Sequence, residues 1–72
     1  MRAKIRLDTM REITDFVGIC SGVIPAVHIT DGNGLKVSGK SLLCVMYAME
    51  FKEIRCECDI DIYHEIERFV VI

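Results

Sequence analysis

Little in this sequence interrupts or constrains a chain: proline occurs once, glycine five times, and no internal repeat, linker or low-complexity tract is present. With 51% hydrophobic residues, such a chain is expected to fold without a ligand, as one domain spanning residues 1–72. A domain of this size lies near the lower limit for a self-sufficient core, so dimerisation with a second copy would help it. No apolar run approaches the ~18 residues of a membrane span, and no charged-then-apolar leader opens the chain, so the expected location is the cytoplasm. The nine Lys and Arg residues are scattered against a formal net charge of −2, which leaves no electrostatic footprint for nucleic acid. Paired Cys-x-x-Cys or Cys/His spacings are also missing, so neither a metal nor another cofactor is expected.

What is there reads first as packing. Ile54, Cys56, Cys58 and Ile60 alternate with Arg55, Glu57 and Asp59, the pattern of a strand with a small-residue core face. Cys20 falls on an apolar helical stripe and Cys44 in a second helix, so all four cysteines read as thiols used as small hydrophobes. His28, on a strand, and His64, on the last helix, lack a nearby acid–nucleophile constellation and read as surface residues.

The elements follow from local pattern. Lys4–Leu7 alternates as a short strand. Thr9-Met-Arg-Glu12 is a capping box that opens a helix with Ile13, Phe16, Val17 and Cys20 on one stripe and Ser21-Gly22 as its stop. Val27–Thr30 and Leu35–Val37 read as strands joined by the turn Asp31-Gly-Asn-Gly34, with Val27, Ile29, Leu35 and Val37 facing inward. Ser41 is the natural N-cap of a helix whose apolar residues are Leu42, Val45, Met46 and Met49. After the cysteine strand, Asp61 can cap a last helix with Ile62, Ile66, Phe69 and Val70 as its stripe. The order is βαββαβα, and helices segregated over one antiparallel sheet make the fold class α+β.

One segment satisfies a chemical pattern outright. Gly34-Leu-Lys-Val-Ser-Gly-Lys-Ser41 matches the nucleotide-binding P-loop, in which backbone N–H groups wrap phosphates between a buried parallel strand and a helix. Here the loop positions Leu35, Lys36 and Val37 alternate as a strand, and the chain is too short for several crossover units of ~30 residues each. Hairpin followed by helix is the better reading.

The block Val37-Ser-Gly-Lys-Ser-Leu-Leu-Cys-Val-Met46 closely resembles the region around the regulatory serine of HPr, the histidine-containing phosphocarrier of the bacterial sugar phosphotransferase system. The element order, the Asn-Gly hairpin and the Phe16-Val17 pair fit the same family. The resemblance implies an open-faced sandwich, four antiparallel strands with three helices on one face. It also implies a His-x-Arg-Pro site at the start of helix one, from which this chain departs. Matching Ile13, Phe16, Val17 and Cys20 to the family's helix core puts Thr9 at the phosphohistidine position, Arg11 at the arginine and Glu12 at the proline. A gapless alternative puts Met10 and Glu12 at the histidine and arginine. Neither register supplies an imidazole, and a threonine ester cannot hand its phosphate on as a phosphoramidate does. A Glu12 carboxylate about 5 Å from a phosphoryl group would add roughly 3 kcal/mol of repulsion per unit charge at an effective dielectric of 20.

The resemblance thus points away from catalysis and towards the histidine-lacking regulatory members of the family. In those, a dedicated serine kinase modifies the serine, and the product binds a transcriptional regulator or another phosphotransferase-system protein. The corresponding residues are Ser41 as acceptor, Arg11 near the phosphate, and Leu42, Leu43 and Met46 as an exposed contact surface. The alternatives are a phosphocarrier with a displaced acceptor, a scaffold of the same fold, and a P-loop module using Gly39-Lys40-Ser41. The last has a direct test. ATP with Mg²⁺ is expected to bind no tighter than ~1 mM by calorimetry, and micromolar affinity would restore the P-loop.

Overall fold

A computed structural model describes residues 1–71. The elements are β1 (Arg2–Ile5), α1 (Met10–Ser21), β2 (Val27–Thr30), β3 (Lys36–Ser38), α2 (Leu42–Ala48), β4 (Ile54–Cys58) and α3 (Tyr63–Ile66), with a 3₁₀ turn at Glu67–Phe69. The expected α+β class and βαββαβα order are what the chain adopts. Its strands form one sheet in the order β1-β4-β2-β3, every pair antiparallel. Among the described residues no helix is long and apolar enough to cross a membrane.

Strand alternation divides the sheet into two unlike faces. Ile5, Val27, Ile29, Ile54, Cys56 and Cys58 are buried on one face. Against them pack Ile13, Phe16 and Cys20 of α1, Val45 and Ala48 of α2, and Ile66 of α3. All three helices therefore lie on that side, as an open-faced sandwich requires. Phe16 is fully buried and meets Phe69 edge to face, ring centroids 5.7 Å apart.

Local signals set the turns. Thr9 and Glu12 form the capping box, and Gly22 ends α1 in the ordinary right-handed region. The Asp31 carboxylate accepts from the N–H groups of Asn33 and Leu35, while Gly32 (φ +83°) and Gly34 (φ +101°) take the left-handed conformations that the turn needs. Thr30, buried on the outer side of the sheet, accepts from the Gly32 N–H through its hydroxyl.

Four expectations are corrected. The first strand covers Arg2–Ile5 rather than Lys4–Leu7, because its ladder with β4 runs from Arg2–Glu57 to Ile5–Ile54 and the Arg6 N–H then turns to the Phe69 carbonyl. Leu35 precedes β3 and is 41% exposed, since it sits at the hairpin mouth where its carbonyl accepts from Asp31. The last helix is a single turn whose N-cap is Ile62, with the Asp61 carboxylate accepting from the Tyr63 N–H just inside it. Val70 leaves the helical stripe because it bridges to Ile5, and the Val71 N–H donates to the Lys4 carbonyl. Ile62, Ile66 and Phe69 are buried as expected.

The Phe16–Phe69 contact joins α1 to the last turn across the core, so its loss leaves a void with little freedom to collapse. Phe16→Ala is expected to cost about 3–5 kcal/mol, which in so small a domain removes most of the stability. A urea midpoint within experimental error of wild type would show that the core repacks around the void.

Candidate functional site

The residues picked out by sequence gather at two places, the start of α2 and the start of α1. At the first, Ser41 takes an extended conformation (φ −105°, ψ 120°) and its hydroxyl accepts from the Cys44 N–H at 3.3 Å. It is the N-cap, as its position in the sequence implies.

The α2 helix itself is uncharged from Leu42 to Ala48. Only Val45 and Ala48 are buried from it, while Leu42 (40%), Leu43 (78%), Met46 (41%) and Tyr47 (55%) remain exposed. Leu42 pairs with Met46 and Leu43 with Tyr47 one turn on, so the four make one continuous apolar face. Leu42, Leu43 and Met46 are thus exposed as expected of a contact surface, while Val45 and, three residues on, Ala48 turn inward. Tyr47 was not among the sequence candidates. Its signal is the one-turn spacing from Leu43.

Every letter of the P-loop pattern has a structural reason of its own. Gly34 supplies a left-handed turn residue. Gly39 donates to the Val27 carbonyl at 2.7 Å, and a Cβ there would come within 3.0 Å of the Val27 side chain. Lys40 extends its ammonium to the carbonyls of Val23 and Ile24, beyond the end of α1. Ser41 is occupied as a cap, and the antiparallel sheet offers no parallel strand from which a phosphate cradle would emerge.

At the start of α1, the Thr9 hydroxyl accepts from the Glu12 N–H at 3.1 Å. The Glu12 carboxylate accepts from the Asp8 and Thr9 N–H groups at 2.8 and 3.2 Å. An internal carboxylate therefore already occupies the place where a helix N-terminus would receive an anion. Beside it, Thr9, Arg11, Glu12, Asp15, Arg68 and Phe69 line a shallow cavity of about 280 Å³. Asp15 is shared by Arg11 at 4.0 Å and Arg68 at 3.3 Å. Arg11 is paired along its own helix, and among the described residues none of its ion pairs reaches Ser41 or α2. The structure does not bring these two candidates into contact.

Neither histidine joins these groups. His28 lies on the outer face of β2 in register with Glu57, and His64 on α3 has Nδ1 3.7 Å from Glu67. All four cysteines are free thiols, and Cys20, Cys56 and Cys58 are buried. Burial above all, with a lesser contribution from neighbouring cysteines, pushes the Cys20 and Cys56 thiols up to about 12. Among the described residues no group of three or more His, Cys, Asp and Glu side chains is arranged to hold a metal ion.

No family model, curated protein or solved structure matches this chain at a significant level.

The thiols give a simple check on packing. At mild alkaline pH the half-exposed Cys44 is expected to react with a disulfide reagent in the native protein, the other three only on unfolding. Rapid labelling of all four in the native state would contradict the buried placement of the cysteines.

Proposed function

We propose that this chain is a non-catalytic protein-binding module of the HPr type, in which the α2 surface docks a partner and phosphorylation of Ser41 regulates that contact. The observation that carries the reading is the uncharged, exposed apolar face of α2 directly beside the Ser41 cap. A contiguous apolar patch on a small domain is a common mark of an interaction site. A phosphoserine at its edge would change the charge of that site without touching the core. The resemblance of residues 37–46 to the HPr serine block supplies the kind of enzyme that would modify it, an HPr-type serine kinase. A transcriptional regulator or phosphotransferase-system protein is the corresponding partner.

Carrier chemistry is not part of the proposal. Thr9 offers an alcohol where a carrier needs imidazole, and the Glu12 carboxylate fills the helix terminus beside it. Regulation through Ser41 requires neither residue to react. In that state the phosphate would take over the cap on the Cys44 N–H, an interaction favoured by about 0.3–1 kcal/mol at a helix start.

An HPr-type serine kinase is expected to label wild type and not Ser41→Ala. Since Ser41→Ala costs about 1 kcal/mol as a lost cap, its fold is checked by circular dichroism in the same preparation. Equal labelling of both proteins would move the acceptor elsewhere and remove the proposal. Phosphoenolpyruvate with the general phosphotransferase enzyme is expected to leave no acid-labile phosphate; label on His28 or His64 would make the chain a carrier.

A further inference from the structure

The side of the sheet turned away from the helices is open, and register fixes what it displays. Across β1, β4, β2 and β3 one row reads Arg2, Glu57, His28, Ser38 and the next reads Lys4, Arg55, Thr30, Lys36. Apart from the His28 imidazole the face has no aromatic residue, and none of the eight is a large aliphatic. Four cations meet two carboxylates there. Glu57 is shared by Arg2 at 3.1 Å and Lys36 at 3.2 Å, and Glu53, from the loop before β4, by Lys4 at 3.3 Å and Arg55 at 2.6 Å.

Asp59, next on the same side beyond β4, also lines the face, which therefore carries a surplus of one positive charge, four cations against three carboxylates. The whole chain has nine cationic and eleven acidic residues, so the remainder holds five against eight and is net −3. This separation of charge is a product of folding and is invisible along the chain. It also has a local cost: Lys4 and Arg55 stand directly opposite each other on neighbouring strands, a placement that disfavours pairing. The neighbouring cations hold both glutamates below the ordinary carboxylate range, Glu57 mainly through Lys36 and Glu53 mainly through Lys4. Each glutamate thus serves two cations and offsets the charge of only one.

We propose that this open face docks an acidic polypeptide segment of a partner protein. Charge complementarity selects the occupant. Two open hollows, of about 570 and 220 Å³, lie along the face, and Arg2, Lys36 and Glu57 line both. The smaller also takes in Arg55 and Thr30, so it places three cations around one carboxylate. Glutamate or aspartate side chains of a partner supply the counter-charge that each shared internal carboxylate leaves wanting. Single-stranded nucleic acid fits less well. It tracks a continuous basic groove and stacks successive bases on aromatic rings, whereas here Glu57 interrupts the cations and the His28 imidazole is the one ring among the eight residues. This surface lies on the side of the sheet opposite α2, so it is independent of the contact proposed for Ser41.

The test uses a short fluorescein-labelled oligoglutamate peptide and the intact chain, read by fluorescence anisotropy. Saturable binding that weakens with added salt is expected, and the double variant Lys36→Gln with Arg55→Gln should reduce affinity about tenfold or more. Lys4→Gln, which disturbs only the Glu53 pair, should give a smaller loss, and Leu43→Ala on α2 should give none. Absence of saturable binding by wild type would overturn the proposal. So would affinity unchanged in the double variant, or an oligothymidine probe binding tighter than the peptide. Kinase labelling of Ser41 is scored separately, so either proposal can fail without the other.

Discussion

Strand β4 is hydrogen-bonded on both sides, to β1 and to β2, and nearly everything else in the molecule depends on that placement. The last strand to form in chain order lies between the first and second, so the sheet closes only when distant segments meet. Its alternation then does two things at once. Ile54, Cys56 and Cys58 close the core beneath the helices, and Arg55 and Glu57 organise the charges of the outer face. Slipping its register by one residue would put thiols in water and an arginine in the core, so the buried face specifies the pairing strongly.

Local chemistry was legible in the chain. The Thr9–Glu12 box, the Asp31–Gly34 turn and the Ser41 cap each depend on residues a few positions apart, and each is found where pattern places it. What depends on a distant partner was not. The limits of β1 follow from its ladder with residues 54–57, and Val70 leaves its helical stripe for a bridge to Ile5. The site divides similarly. The serine block marks the right helix, but which of Leu42, Val45, Met46 and Ala48 turns inward depends on how α2 lies on the sheet. That Arg11 pairs with Asp15 and not with Ser41 also follows from tertiary placement. The two cross-strand rows of the outer face need the full register before they exist at all.

The P-loop pattern shows how one string of residues can satisfy two descriptions. Its glycines are required by a left-handed turn and by close approach to Val27, its lysine by the carbonyls past the end of α1, and its serine by a helix start. Each is a general requirement of a hairpin leading into a helix. Coincidence with a phosphate cradle needs only that these requirements fall at the right intervals. The discriminating feature is the direction of the strand that precedes the loop, which the letters do not encode.

The bridge from Val70 to Ile5 and the hydrogen bond from Val71 to Lys4 lay the final residues described along the outer edge of β1. A four-stranded sheet has two borders at which another chain can be recruited; among the described residues this contact covers the Lys4–Arg6 end of one, and the other is the short strand Lys36–Ser38, marked by a lysine. Protection of this kind acts on colloidal behaviour more than on folding stability. Each shortened border is one fewer place at which the strands of two copies can template one another.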